Sequence, residues 1–379
     1  GFPKKMIVNF AVRHVKKMVP AYKLPNVIRF NDTLRAGSQL KINKHKAKSG
    51  DIACLQYTGG TTGLSKGAML THRNIMSNME MISAWMYSQK DFLTEGKEVV
   101  ITALPLYHIF AFVVNCLTTV KHGGHSILIT NPRDMDSFIK DLKKYPFSLM
   151  TGVNTLFNGL LNQAEIHNVD FSHLKVTVGG GMAVQKVVAE KWEKVTGCPL
   201  LEGYGLTEAS PVLTTNPIGG GRIGTIGLPV PSTDIRIVDD AGNDVLLGER
   251  GEIIAAGPQV MKGYWKREEA TAEVIKDGWL YTGDIGVMDE DGFIKIVDRK
   301  KDMILVSGFN VYPNEIEDVL ASHEGVLEVA CIGVPDEKSG EAVKVFIVKK
   351  DPNLTEKTLR DYCSQHLTGY KKPRHYAFK

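Results

Sequence analysis

The residues best equipped for chemistry stand together in Tyr57-Thr58-Gly59-Gly60-Thr61-Thr62-Gly63-Leu64-Ser65-Lys66-Gly67, after a strand-like run. Glycines let backbone N–H groups approach an anion, the three threonines add hydroxyl donors, and Lys66 adds a positive charge. Phosphate binding is the chemistry such a loop suits. The spacing is not that of a P-loop: GxxxxGK[ST] has Lys directly after Gly and a hydroxyl next, whereas Leu64 and Ser65 intervene here and Gly67 follows. A Walker-type ATPase or kinase is thereby disfavoured. His108 follows the uncharged run VVITALPLY, where an imidazole beside aromatics serves packing or hydrogen bonding as readily as catalysis. His122 and His125 have HxxH spacing without an acid or thiol beside them, so no zinc is assigned. Cys54, Cys116, Cys198, Cys331 and Cys363 are far apart with no CxxC, which suits a reducing compartment and points to the cytosol.

Elements must hold that loop, and the chain is long enough to supply them. Its 379 residues, 43% hydrophobic and 23% charged, can build one large core and a second domain, which excludes disorder and fibrous repeats. Lys+Arg 46 against Asp+Glu 42 leaves a net charge of +4, too balanced for a dedicated nucleic-acid binder. The positive charge is local, because residues 1–50 hold 12 Lys/Arg and one acid, Asp32. Within them, residues 5–19 place Ile7, Phe10, Ala11, Val15 and Met18 on one helical stripe and Lys5, Asn9, Arg13, Lys16 and Lys17 opposite, a basic amphipathic helix. Two readings of segment 4–48 stay open: contact with an anionic membrane surface, or packing of its apolar face on protein upstream. Gly1 in place of Met leads us to expect that the chain starts inside a longer protein.

From 51 onward, short apolar strands (DIACLQYT, VVITALP, HSILIT, LKVTVGG, PLLEGYG) alternate with helical stretches. That rhythm predicts an α/β fold with a mainly parallel sheet over 51–216. Over 217–297, Gly and Pro become dense, and DIRIVDD and GEIIAAG alternate like antiparallel strands, which predicts a β-rich subdomain of the same large domain. Residues 1–50 are assigned to that large domain too. From Asp298 the pattern is that of a small α+β unit, 298–379, entered through the charged DRKKD segment. Residues 99–120 carry no charge, yet Pro105 splits the run, so a buried strand, a loop and a buried helix are expected rather than a membrane span.

The glycine-rich loop resembles the phosphate-loop signature of the adenylate-forming superfamily, which includes acyl-CoA synthetases, luciferases and adenylation domains of peptide synthetases. Other segments agree in the family's order: Pro105-Leu106-Tyr107-His108, Gly179-Gly180-Gly181, Gly203-Tyr204-Gly205-Leu206-Thr207-Glu208, Gly278-Trp279-Leu280-Tyr281-Thr282-Gly283-Asp284 and Asp298-Arg299-Lys300-Lys301-Asp302. The stretch from Asp277 to Lys301 is most similar to the fatty acyl-CoA synthetase version, and similarity to bacterial long-chain fatty acid–CoA ligases runs essentially from end to end. One departure is Ser65, at a position the signature often fills with Pro.

The resemblance implies an AMP-binding core over 51–216, a mobile small domain, and a reaction in two halves. A carboxylate attacks the α-phosphorus of ATP to give acyl-AMP and pyrophosphate; the thiol of coenzyme A then displaces AMP. By resemblance, the loop from Thr58 through Gly59, Gly60, Thr61, Thr62 and Gly63 to Lys66 would hold the β- and γ-phosphates. Glu208 would bind Mg2+ with Thr58 as a second contact, Thr207 would touch the α-phosphate, and Tyr204 would stack on adenine beside Gly179, Gly180 and Gly181. Asp284 would take the ribose hydroxyls, assisted by Arg299, with Lys301 as a further nucleotide contact. Asp298 would be the hinge, Gly308 would lie beside the pantetheine path of coenzyme A, and Glu315 belongs to the same motif. His108 would sit near the acyl carboxylate in a positional role, since a fatty carboxylate is already ionised at pH 7. The acyl pocket is expected around 105–116, 151–160 and 179–184.

The family's catalytic lysine falls in a motif beyond Gly369-Tyr370-Lys371-Lys372-Pro373, and the chain ends at Lys379 before it. This chain is therefore expected to behave as an incomplete, poorly adenylating form. The substrate implied is a long-chain fatty acid, and the location cytoplasmic, at most peripheral on the cytoplasmic face of the inner membrane. Two alternatives stay open. One is another adenylate-forming ligase, acting on aryl or medium-chain acids or stopping at acyl-AMP. The other is a non-catalytic module that binds nucleotide or acyl-adenylate.

Overall fold

The computed structural model describes every residue except Gly1, Tyr22, Asn43, Lys44 and 59–64, and the side chains of all described residues except Phe2 and Pro3. The chain divides into two compact units, 1–47 and 48–379. In the first, an α-helix over Phe2–Phe10 widens into π-helical turns over Ala11–Val15, and a second helix spans Phe30–Ser38. The helix expected over 5–19 therefore begins earlier and ends at Val15, and Lys17 has a left-handed backbone, φ 46°. Met6, Ile7, Phe10, Val15 and Met18 are all exposed.

The second unit is built on a seven-stranded sheet. Its spatial order is His125–Leu128, Val99–Thr102, Leu149–Gly152, Val176–Gly179, Leu200–Gly205, Val212–Thr215 and Leu228–Pro229. The first five strands are parallel and the last two antiparallel. The runs VVIT, LMTG and VTVG are almost wholly buried, as strands covered on both faces require. Flanking helices are punctuated by their sequence. Thr71 and Asn74 form a capping box at the start of His72–Met86, Asp134 caps Met135–Lys144, and Gly197 at φ +73° ends Lys186–Thr196. Phe138, Phe157 and Trp192 lock the helices against the sheet, each fully buried.

The run 51–58 does not join this sheet. Ile52–Thr58 pairs antiparallel with Lys66–Thr71, Thr58 opposite Lys66. A connection as short as 59–65 can close a hairpin, whereas a parallel neighbour needs a crossover of about a dozen residues or more. The uncharged run 99–120 gives the buried strand, loop and helix expected, with Ile109, Ala111, Val113 and Asn115 buried. Among the described residues no helix is long and apolar enough to cross a membrane.

A five-stranded antiparallel sheet follows: Asp234–Val238, Gly251–Ala256, Trp279–Met288, Ile275–Lys276 and Ile294–Arg299. Asp298 and Arg299 belong to this β-rich sheet by pairing with Trp279–Met288, so the elements of the small α+β unit begin with Ile304–Val306. That unit packs helices Pro313–Ala321 and Glu356–His366 on a sheet whose long hairpin, Val326–Asp336 with Gly340–Lys349, carries most of its core.

Candidate active site

Three sequence motifs leave the carboxyl ends of parallel strands of the same sheet, where open α/β sheets place their ligand crevices. Gly180 and Gly181 follow Val176–Gly179, Leu206 to Glu208 follow Leu200–Gly205, and His108 follows Val99–Thr102, which lies between His125–Leu128 and Leu149–Gly152. A cavity of about 830 Å3 opens there. Thr58, Lys66, His108, Gly180, Gly181, Tyr204, Thr207, Glu208, Asp284, Arg299 and Lys301 all line it. Gly179, Asp298 and Gly308 do not. Gly59, Gly60, Thr61, Thr62 and Gly63 lie outside the described residues.

At one end, sheet register brings the charges together. Asp284 and Arg299 are cross-strand partners, with Arg299 Nε 3.6 Å from Asp284 Oδ1. The Tyr204 hydroxyl donates to Asp284 Oδ2 at 2.6 Å, and its ring packs with Leu213 and Ile226. Burial pushes the Asp284 carboxyl up, against the pull of Tyr204, Arg299 and Lys301. Burial and then Asp284 push the Tyr204 phenol up as well, so it stays a donor. Gly180 is glycine for space: a Cβ there would sit 3.1 Å from the Phe110 ring and 3.2 Å from the Gly203 carbonyl oxygen. A Cβ on Gly179 would meet Val184 at 2.5 Å, so that residue packs the strand end rather than the cavity.

At the polar centre, Glu208 Oε1 accepts from the Tyr264 hydroxyl at 2.5 Å, and the Lys66 ammonium lies 5.0 Å from the centre of the Tyr264 ring. The Thr58 hydroxyl donates to the Lys66 carbonyl at 3.5 Å. Lys300 is paired with Asp240 and Glu252, and Lys66, Arg299 and Lys301 against Glu208 and Asp284 leave the lining one cation in excess, which favours a polyphosphate. Among the described residues no three His, Cys, Asp or Glu side chains gather into a cage. One carboxylate with a nearby hydroxyl nevertheless fits Mg2+, which keeps phosphate and water oxygens as most of its ligands. His108 Nδ1 accepts from the Phe110 N–H at 3.3 Å, and burial lowers its pKa, so the ring is neutral at pH 7.

The buried Asp298 carboxylate accepts from Arg299 N at 2.7 Å and from Asn314 N at 3.0 Å. It thereby ties the β-rich sheet to the first turn of Pro313–Ala321, where a negative charge suits the helix dipole. Gly308, φ +84°, follows Ser307, φ 51°, in the tight turn between Ile304–Val306 and Phe309–Val311. Glu315 receives Lys371 Nζ at 2.6 and 2.8 Å. His122 is held between Glu95 and Ser83 at 2.9 Å each, while His125 meets Tyr145 edge-on.

Segment 151–160, expected at an acyl pocket, does not line this cavity. Leu156, Phe157 and Leu160 are buried in the sheet–helix core. The wall is instead Ile82, Trp85 and Met86 from the helix His72–Met86, with Val114, Val176 and Val178. Sequence reading missed both this wall and Tyr264. The helix carried only its 3.6-residue apolar periodicity as a signal, and Tyr264 carried none.

Residues 7–265 match the family of AMP-binding enzymes and 315–379 match the AMP-binding enzyme C-terminal domain. The long-chain-fatty-acid–CoA ligase of Salmonella typhimurium is 58% identical over 377 residues, covering 99% of this chain and 67% of the relative. That of Bacillus subtilis is 45% identical over 332 residues, 87% of this chain and 58% of the relative. Among solved structures, ATP-bound MatB from Rhodopseudomonas palustris superposes with a TM-score of 0.79 at 33% identity, over 88% of this chain and 65% of that one. The o-succinylbenzoate CoA synthetase of Bacillus subtilis with ATP and magnesium gives 0.76 at 29% identity, over 88% and 67%. The chain thus spans about two thirds of the length of the first relatives it matches.

Proposed function

This chain belongs to the AMP-binding enzyme family, alongside its long-chain-fatty-acid–CoA ligases, and we propose that it contributes the site at which a long-chain fatty acid is activated by ATP to acyl-AMP and passed to coenzyme A. The observation that carries this reading is one cavity with two unlike ends. A polar end presents Asp284, Arg299, Thr207, Glu208 and Lys66; an apolar end presents Ile82, Trp85, Met86 and Val114. A nucleotide joined to a hydrocarbon chain is the ligand with that division.

Within this reading, Asp284 accepts from the two ribose hydroxyls, and Gly180 and Gly181 let the base approach the backbone. Lys66, Thr207 and Arg299 place positive charge and donors around the phosphates, where catalysis rests on positioning and charge neutralisation. The fatty carboxylate displaces pyrophosphate at the α-phosphorus, and His108, which burial favours in its neutral form, orients it as a hydrogen-bond partner. Glu208 and Thr58 are the residues that would hold Mg2+, which when bound neutralises the leaving pyrophosphate. Asp298 serves as the pivot for the small domain, bringing the turn at Gly308 toward the thiol of coenzyme A in the second half. The unpaired state of all five cysteines supports a cytoplasmic setting.

The test is thermal stability with acyl sulfamates of adenosine, which bind without turning over. Selective stabilisation by the hexadecanoyl compound over the benzoyl compound and adenosine is expected, with the melting temperature following ligand concentration. Equal stabilisation by all three would discard the long-chain assignment, and preference for the benzoyl compound would select an aryl ligase.

A further inference from the structure

We propose that Tyr264 is a positioning residue that serves the metal and the phosphate loop at once: its hydroxyl aims the Glu208 carboxylate, and its ring seats the Lys66 ammonium apart from that carboxylate. The proposal rests on the nucleotide reading of the cavity given above.

Glu208 and Lys66 come from distant segments and carry opposite charges on the wall of one cavity. Left to themselves they would attract, and an ion pair between them would take the metal's carboxylate and the loop's cation out of use together. Tyr264 stands between these two fates. It donates to Glu208 Oε1 at 2.5 Å, and among the described residues Oε2 has no hydrogen-bond partner. Its ring face offers Lys66 a cation–π seat at 5.0 Å.

The backbone around Tyr264 is held accordingly. Residues 262–265 are laced along the strand Lys66–Thr71: Met69 N donates to Gly263 O at 2.8 Å, Lys262 N to Met69 O at 3.0 Å and Trp265 N to Gly67 O at 2.8 Å. Ala68 and Tyr264 form a bridge pair. Met261 N donates to the Glu208 carbonyl at 2.7 Å, and the Thr271 hydroxyl accepts from Tyr264 N at 2.9 Å. One short segment is therefore fastened to the strand that carries Lys66 and to Glu208 itself.

The test measures equilibrium binding of α,β-methylene-ATP, with Mg2+ titrated in and with EDTA. Tyr264→Phe keeps the ring and removes the donor. It is expected to weaken the Mg2+-dependent part of binding about 10-fold, the usual scale for losing a group that orients a metal ligand, with EDTA binding unchanged. Tyr264→Leu also removes the cation's seat and is expected to weaken metal-free binding several-fold further, an effect that disappears in a Lys66→Met background. Intact Mg2+ dependence in Tyr264→Phe, or equal losses with and without metal, would overturn the role of the hydroxyl. A Tyr264→Leu effect that survives Lys66→Met would overturn the role of the ring. Failure of the unmodified chain to bind the analogue at all would overturn the nucleotide reading and this role with it.

Discussion

The two ends of the cavity are built by different means. The polar end combines residues from the strands Leu200–Gly205, Trp279–Met288 and Ile294–Arg299 with Thr207 and Glu208 from the turn after the first of them, and its geometry is held by hydrogen bonds such as Tyr204 to Asp284 and Tyr264 to Glu208. The apolar end is made of the faces of a regular helix and strands, Ile82, Trp85 and Met86 against Val176 and Val178. Polar recognition depends on a few atoms at fixed separations and is lost when one moves. Apolar recognition depends on volume and tolerates exchange of one side chain for another of similar size. The polar end should therefore respond to single substitutions without regard to the acyl chain, and the apolar end only in proportion to chain length.

The largest effect is expected from Asp284→Asn. The change keeps the shape and an acceptor for Tyr204 but replaces one carboxylate oxygen with a donor and removes the charge beside Arg299. Loss of a hydrogen bond to a charged group costs about 1.5–3 kcal/mol, or roughly 10–100-fold in affinity. Calorimetry should find the same factor for adenosine, an octanoyl-adenylate analogue and a hexadecanoyl-adenylate analogue. A factor that grows with chain length would break the separation of the two ends.

Val114→Phe tests the other end. It adds bulk to the apolar wall and should exclude the last methylenes of a long chain. Two excluded methylenes at about 0.8 kcal/mol each correspond to roughly ten-fold weaker binding of the hexadecanoyl compound, with the octanoyl compound and adenosine unaffected. Equal weakening of all three would mean that residue 114 supports the nucleotide end instead.

The same contrast explains what could be read from the sequence. Gly180-Gly181, Gly203 to Glu208 and Asp284 stood out in the sequence as particular residue types at short, fixed spacing, and the fold brings them to the wall of one cavity. The parallel core was legible because strands covered on both faces must be continuous apolar runs. The apolar lining of the cavity was not, because Trp85 and Met86 look like any buried face of a helix, and 151–160 fills the core with the same kinds of residue. Tyr264 was invisible because its two partners, Glu208 and Lys66, are brought to it only by tertiary folding. The hairpin at 52–71 was misassigned for a related reason: DIACLQYT has the composition of a core strand, and only the short connection to Lys66 reveals its antiparallel partner.

The smallest effect concerns a carboxyl that shares a strand with Tyr204 but does not line the cavity. Glu202 receives one N–H, from Val184 at 3.1 Å, with no cation at hand, and burial pushes its pKa up to about 8. Asp284 differs in having Arg299 and Lys301 to offset its burial. A folded-state value above the unfolded one means that the folded chain holds the proton more tightly. Stability contributed by protonated Glu202 is therefore full at low pH and is lost as pH rises toward 8. Glu202→Gln keeps an acceptor for Val184 N and cannot ionise. Its melting temperature should match that of the unmodified chain near pH 5 and exceed it by roughly 1–2 °C near pH 9, the scale of about 1 kcal/mol in a chain of this length. A difference independent of pH would show that the residue contributes by shape alone, and that burial without a cation does not distinguish it from Asp284.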